Sequence, residues 1–131
     1  MPNGRQFDDD QIKLIIARGG VLGAALDAWM MVPGWVKGKT RPADAGVKLQ
    51  HMVDHIDRVC QLAGNSQHAG IGTDLDGGFG REQSPMDIET IADLQKVPDL
   101  LAQRGYKPAD IQSIMHGNFL SFLRKNLPKA G

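Results

Sequence analysis

The 131-residue sequence is poor in most features that would announce a specialised class of protein. It has one cysteine, Cys60, so no internal disulfide can form. A thiol set among apolar helix positions behaves as a small hydrophobe and suits a reducing compartment. Charge of one sign is missing too, because 15 Lys and Arg cancel 15 Asp and Glu. That balance leaves no overall field to gather nucleic acid or an anionic membrane surface. No apolar run is long enough to span a bilayer; the longest, residues 21–32, is interrupted by Asp27. The start has no basic stretch leading into an apolar leader core, and the end, Asn-Leu-Pro-Lys-Ala-Gly, has no apolar tail for a lipid anchor. These absences predict a cytoplasmic protein with neither nucleic acid nor membrane among its partners.

What is present is ordinary globular material: 41% of residues are hydrophobic, enough to build a core over about one domain. Asp8, Asp9 and Asp10 precede Ile12, Leu14, Ile15 and Ile16, which predicts a helix over 8–18 with acids at its positive end, stopped by Gly19-Gly20. VLGAAL and HAGIGT are continuous short apolar runs bounded by glycine, and both read as strands buried on two faces of a parallel sheet. Between them, Leu49, Met52, Val53, Ile56, Val59, Cys60 and Leu62 recur at three and four residues, an amphipathic helix over 47–63 closed by Gly64-Asn65. Further helices are predicted over 88–104, 108–116 and 118–126. Residues 27–46, with Trp29 and Trp35, read as a long irregular loop, either a lid or pocket wall or a loop anchored by its indoles. Strands alternating with helices mean an α/β fold, yet two strands do not finish a parallel sheet. The pattern is that of a portion of a larger α/β protein.

In such folds reactive groups gather where strands end and loops begin. There stands Thr73-Asp74-Leu75-Asp76-Gly77-Gly78. Asp74 suits a metal-linked acid or base, and equally an Asx-type turn. A calcium loop is excluded, since Gly78 and Pro85 stand where it needs its third and last acidic ligands. A dinucleotide fingerprint beginning at Gly70 and Gly72 fails at Leu75. His51 and His55 share a helix face at a spacing that could grip zinc, but Met52 replaces the glutamate of the zinc-protease pattern, and ordinary histidines fit better. His116 is expected at a helix C-terminus, where the dipole favours a cation.

The segment VDHIDRVCQLAGNSQHAGIGTDLDGG resembles the stretch of renal (membrane) dipeptidase-like zinc metallopeptidases written loosely as DHIDHI…AG…VGIGSDFDG. GRQFDDDQIKLIIARGGVLGAAL is similar to their RNLTDEQI…ARGGVIGV, and DLQKVPDLLAQRGYKPADIQSIMHGNFLSFLR to their closing helices ending in GNFLRVF. Three blocks in unbroken order cover nearly the whole chain. The resemblance implies a (β/α)8 TIM barrel of the amidohydrolase superfamily, in which two zinc ions help hydrolyse dipeptides. Residues 1–131 would be the part carrying strands seven and eight, incomplete on its N-terminal side.

Asp74 matches the strand-eight aspartate, which would take a proton from metal-bound water and pass it to the leaving amine. Arg5 matches the arginine that binds the dipeptide's terminal carboxylate through its guanidinium fork; without the family it would be a solvated terminal residue. The family's His-x-Asp pair, bridging glutamate and further histidines belong to earlier strands, so no metal ligand is assigned here. The isolated chain is therefore expected to be inactive. Two other expectations stand beside this: a non-catalytic remnant that works by homo-oligomerisation or by pairing with the missing barrel half, and a related amidohydrolase acting on another amide or ester.

Overall fold

A computed structural model of the protein describes residues 6–129. The first helix, α1 (Asp9–Ala17), begins where the acids predict: Asp8 accepts the Gln11 amide at 2.8 Å and donates its own N–H to the Gln11 side chain at 3.0 Å. Gly19, at φ 72°, reverses the chain into strand β1 (Leu22–Ala24). After the loop comes α2 (Pro42–Ala45), then the long helix α3 (Leu49–Ala63), ended by Gly64 in the left-handed region. Strand β2 (Ala69–Ile71) returns parallel to β1, with Leu22 opposite Ala69, Gly23 opposite Gly70 and Ala24 opposite Ile71. Helix α3 is thus the crossover of a βαβ unit.

Side chains alternate along strands, so Leu22, Ala24, Ala69 and Ile71 share one face of the sheet and Gly23, Gly70 and Gly72 the other. The aliphatic face joins a core built from Ile12 of α1 and Ile56, Val59 and Cys60 of α3. The glycine face receives the Phe119 ring, which lies where a Cβ at Gly70 would come within 2.4 Å of it. Gly23 and Gly72 are exposed. The strands are therefore not buried on both faces throughout, contrary to what their continuous apolar runs predict. The strands are three residues each, and among the described residues the sheet is two-stranded, so the glycine face is covered only in part, by Phe119 over Gly70, while Gly23 and Gly72 stay open.

The expected loop over 27–46 is less irregular than its composition predicts. A 3-10 turn (Ala28–Met30) and α2 interrupt it, and Leu26, Ala28, Met31 and Val47 are core residues. Downstream, the predicted helix over 88–104 is a 3-10 segment (Ile91–Lys96) continuing into α4 (Val97–Gln103), with Pro98 in its first turn. Helix α5 (Pro108–Gln112) passes through one π turn (Ser113–Gly117) directly into α6 (Asn118–Asn126). Gly117 keeps helical angles (φ −60°), so no break occurs there. His116 therefore lies within a continuing helical run and not at a C-terminus. No helix among the described residues is long and apolar enough to cross a membrane.

Asn118 ties this last helix to the sheet. Buried, it donates through Nδ2 to the carbonyls of Ser66 at 2.6 Å and Ala69 at 2.8 Å. Asn118→Leu removes that donor from both carbonyls at a buried position, so it is expected to cost roughly 2–3 kcal/mol in urea unfolding. An exposed control such as Asn126→Ala should cost far less, and equal losses in the two would contradict the buried role.

A candidate active site at the strand ends

Asp74 follows the C-terminal end of β2 in the left-handed region, at φ 58°, alone among the described non-glycine residues. Aspartate tolerates that conformation better than most residues, at a cost of order 1–2 kcal/mol. The backbone of the turn holds it there: Gly77 N–H donates to the Asp74 carbonyl at 2.8 Å. Leu75 N–H approaches the Thr73 hydroxyl at 3.4 Å. Gly77 is needed, since a Cβ at that position would stand 2.9 Å from the Asp74 backbone carbonyl oxygen. The carboxylate itself is exposed and accepts no hydrogen bond from a described residue. An Asx turn would use that carboxylate to close the turn, and here backbone and Thr73 close it instead.

Asp74 lines a cavity of 540 Å³. Four consecutive residues, 22–25, line it. Consecutive strand residues point to opposite faces, so a cavity touching all four runs along the outer edge of β1 and not across a face of the sheet. Ile12, His55, Arg58 and Met30 form much of the rest. Arg58 of α3 grips Asp9 of α1 through two guanidinium nitrogens, and this pairing holds the Asp9 carboxyl below the usual carboxylate range. Gln6 closes one rim by donating to the Met30 carbonyl at 2.6 Å.

The two strand-end loops are clasped together by a residue the sequence reading passes over. Asp27, seen there only as an interruption in an apolar run, is buried. Its carboxylate accepts from Trp29 Nε1 at 2.5 Å and from Gln83 Nε2 at 3.1 Å, while Ala28 N–H donates to the Gln83 carbonyl at 2.7 Å. Loop 27–46 and the segment after Asp74 are thereby held in one geometry. Trp35 also packs inward against the core, with its indole nitrogen buried and unpaired among the described residues. Both indoles anchor the loop.

The histidines divide into separate roles. His51 Nδ1 lies 3.1 Å from the Lys48 amide at the start of α3, as a capping group. His68 Nδ1 lies 2.8 Å from the Gly20 carbonyl. His55 lines the cavity. Among the described residues no three His, Cys, Asp or Glu side chains come together where a metal ion could be held. The residues described do not form a zinc site by themselves. Cys60 is buried, and burial pushes its thiol up, as expected of a structural cysteine. Arg5, the other residue singled out from the sequence, lies outside the described residues.

The family model described as "Membrane dipeptidase (Peptidase family M19)" matches residues 1–129.

His55 gives the site a measurable pH signature. Burial, the largest influence, holds its imidazole below the ordinary value of 6.5. A group that binds protons less readily when folded stabilises the fold fully above its unfolded pKa and loses that contribution as pH falls below it. Melting temperature should therefore drop between about pH 7.5 and pH 5.5, and His55→Gln should flatten that part of the profile. The Asp9 carboxylate, depressed by Arg58, titrates in a lower window and does not obscure it. An unchanged slope in the variant would refute the assignment.

Proposed function

The chain belongs to the membrane dipeptidase family, peptidase family M19, and from that premise we propose that it supplies the last two strands of a (β/α)8 barrel that hydrolyses dipeptides. Membership makes it part of a peptidase, a hydrolase. The observation that carries the finer reading is Asp74: a carboxylate on a glycine-permitted turn at the C-terminal end of a parallel strand, exposed and unused by the turn that holds it. That is where barrel enzymes carry their reacting groups. Asp74 would hold a proton at its carboxylate and deliver it to the leaving amine. Arg5 would pair with the substrate's terminal carboxylate through two parallel hydrogen bonds.

The groove along the outer edge of β1 supports the barrel reading, because a neighbouring parallel strand needs a backbone edge of this kind. On this reading residues 1–131 are one part of a single barrel domain, with the preceding strands on their N-terminal side. A pair of zinc ions, the expected cofactor, would polarise the scissile carbonyl when bound. A lone carboxylate does not hold catalytic zinc, so the ligands would come from the preceding strands. The cytoplasm is the proposed location, since the single, buried Cys60 asks for no oxidising compartment.

The same edge favours a second reading, in which the chain does no chemistry and binds a second copy or a partner by strand addition. Two measurements separate these. Pure chain supplied with zinc should show no dipeptide turnover; robust zinc-dependent hydrolysis would overturn the proposed dependence on outside ligands. Intact mass in the native cells, captured through the C-terminal helices, should be two to three times that of this chain for a barrel enzyme. A species of the chain's own mass would favour the association reading.

A further inference from the structure

A second cavity, of 520 Å³, lies at the opposite, amino-terminal ends of the strands. Its wall includes Arg18 after α1, His68 before β2, and Ser121, Phe122 and Lys125 of α6. No Asp or Glu lines it. Arg18 and Lys125 make no ion pair with a described residue, and the Ser121 hydroxyl makes no hydrogen bond with one. His68 is oriented: the Gly20 carbonyl, 2.8 Å from Nδ1, can only accept, so Nδ1 carries the hydrogen and Nε2 is the open nitrogen.

Two helices end at this cavity, and their free carbonyls would oppose an anion. Several of those carbonyls are satisfied. Gly19 and Gly20 donate to Ile16 and Ile15, Leu127 donates to Leu123, and Asn126 Nδ2 donates to Phe122, all at 2.8–2.9 Å. The balance of the cavity is cationic, with the Phe122 ring as an apolar wall.

We propose that this amino-end cavity binds a small molecule bearing a phosphate-type oxyanion, held by Arg18 and Lys125, with the Ser121 hydroxyl donating a further hydrogen bond and His68 Nε2 accepting one from a protonated phosphate oxygen. A guanidinium fork and an ammonium group on one oxyanion make charge-assisted hydrogen bonds that a single surface lysine cannot match. Every group involved belongs to this chain. The site is also at the end of the strands away from Asp74, and it stands independently of the dipeptidase reading.

The test is titration of the 131-residue chain with inorganic phosphate at constant ionic strength, read from the His68 ring signals by NMR and from melting temperature. A saturable response is expected, with a dissociation constant on the order of millimolar. The double variant Arg18→Gln/Lys125→Gln should weaken it tenfold or more, while Lys37→Gln/Lys39→Gln, at exposed loop positions, should leave it unchanged. Phenyl phosphate in a parallel titration separates the ligand sources: tighter binding than inorganic phosphate points to a phosphomonoester seated on Phe122, and equal binding to the free anion. A response that does not saturate, that chloride reproduces, or that survives in the double variant overturns the proposal.

Discussion

The structure depends on one packing event: α3 laid across the aliphatic face of two parallel strands. The strands cannot support themselves. Three residues apiece contribute a few ladder hydrogen bonds worth about 1 kcal/mol net each. Helix α3 instead buries Leu49, Met52, Val53 and Ile56 almost completely, at roughly 1.5–3 kcal/mol per side chain. The helix holds the strands in register, and everything at the strand ends inherits its position from that contact. Asp87 belongs to the same arrangement: its carboxylate accepts the Leu49 amide at 2.8 Å, so the segment after Asp74 caps the helix that fixes Asp74's strand.

A second constraint ties the two loops. Burying a carboxylate without partners costs several kcal/mol, so Asp27 is tolerable only where donors meet it. Trp29 and Gln83 supply them from both loops. If the Gln83 segment relaxes, the buried Asp27 carboxylate loses a donor, and if loop 27–46 relaxes, the Gln83 amide loses its acceptor. Two segments with little regular structure are therefore held firmly.

Much of this is legible in sequence where the cause is local. The acids before Ile12 mark the start of α1, and the three-and-four spacing from Leu49 to Leu62 marks α3 to within two residues. The strands are recognisable but read too long, because VLGAAL and HAGIGT describe strands with neighbours on every side, and the described sheet supplies one neighbour each. Gly117 misleads for a physical reason: a glycine can sit at φ −60° as easily as at a break, and neighbours decide which. Asp27 could not be found from its surroundings, since its partner Gln83 lies 56 residues away. The glycine face of the sheet was present in the letters, as alternate glycines in GIG, but its occupant Phe119 was not.

At Asp74 the structure bears on two readings that the sequence leaves level. An aspartate followed by glycines fits a turn and a reacting group equally well. In a turn kept for shape alone, glycine at φ 58° would avoid the strain, and an aspartate would recover the cost by bonding with its side chain. Here the strain is retained, the closing contacts come from the Asp74 carbonyl and Thr73, and the carboxylate is left in solvent. A charged group held in an unfavourable backbone conformation, with no structural use of its charge, favours a role outside the turn. The proposed acid–base role of Asp74 draws on that asymmetry together with the family likeness of the surrounding letters.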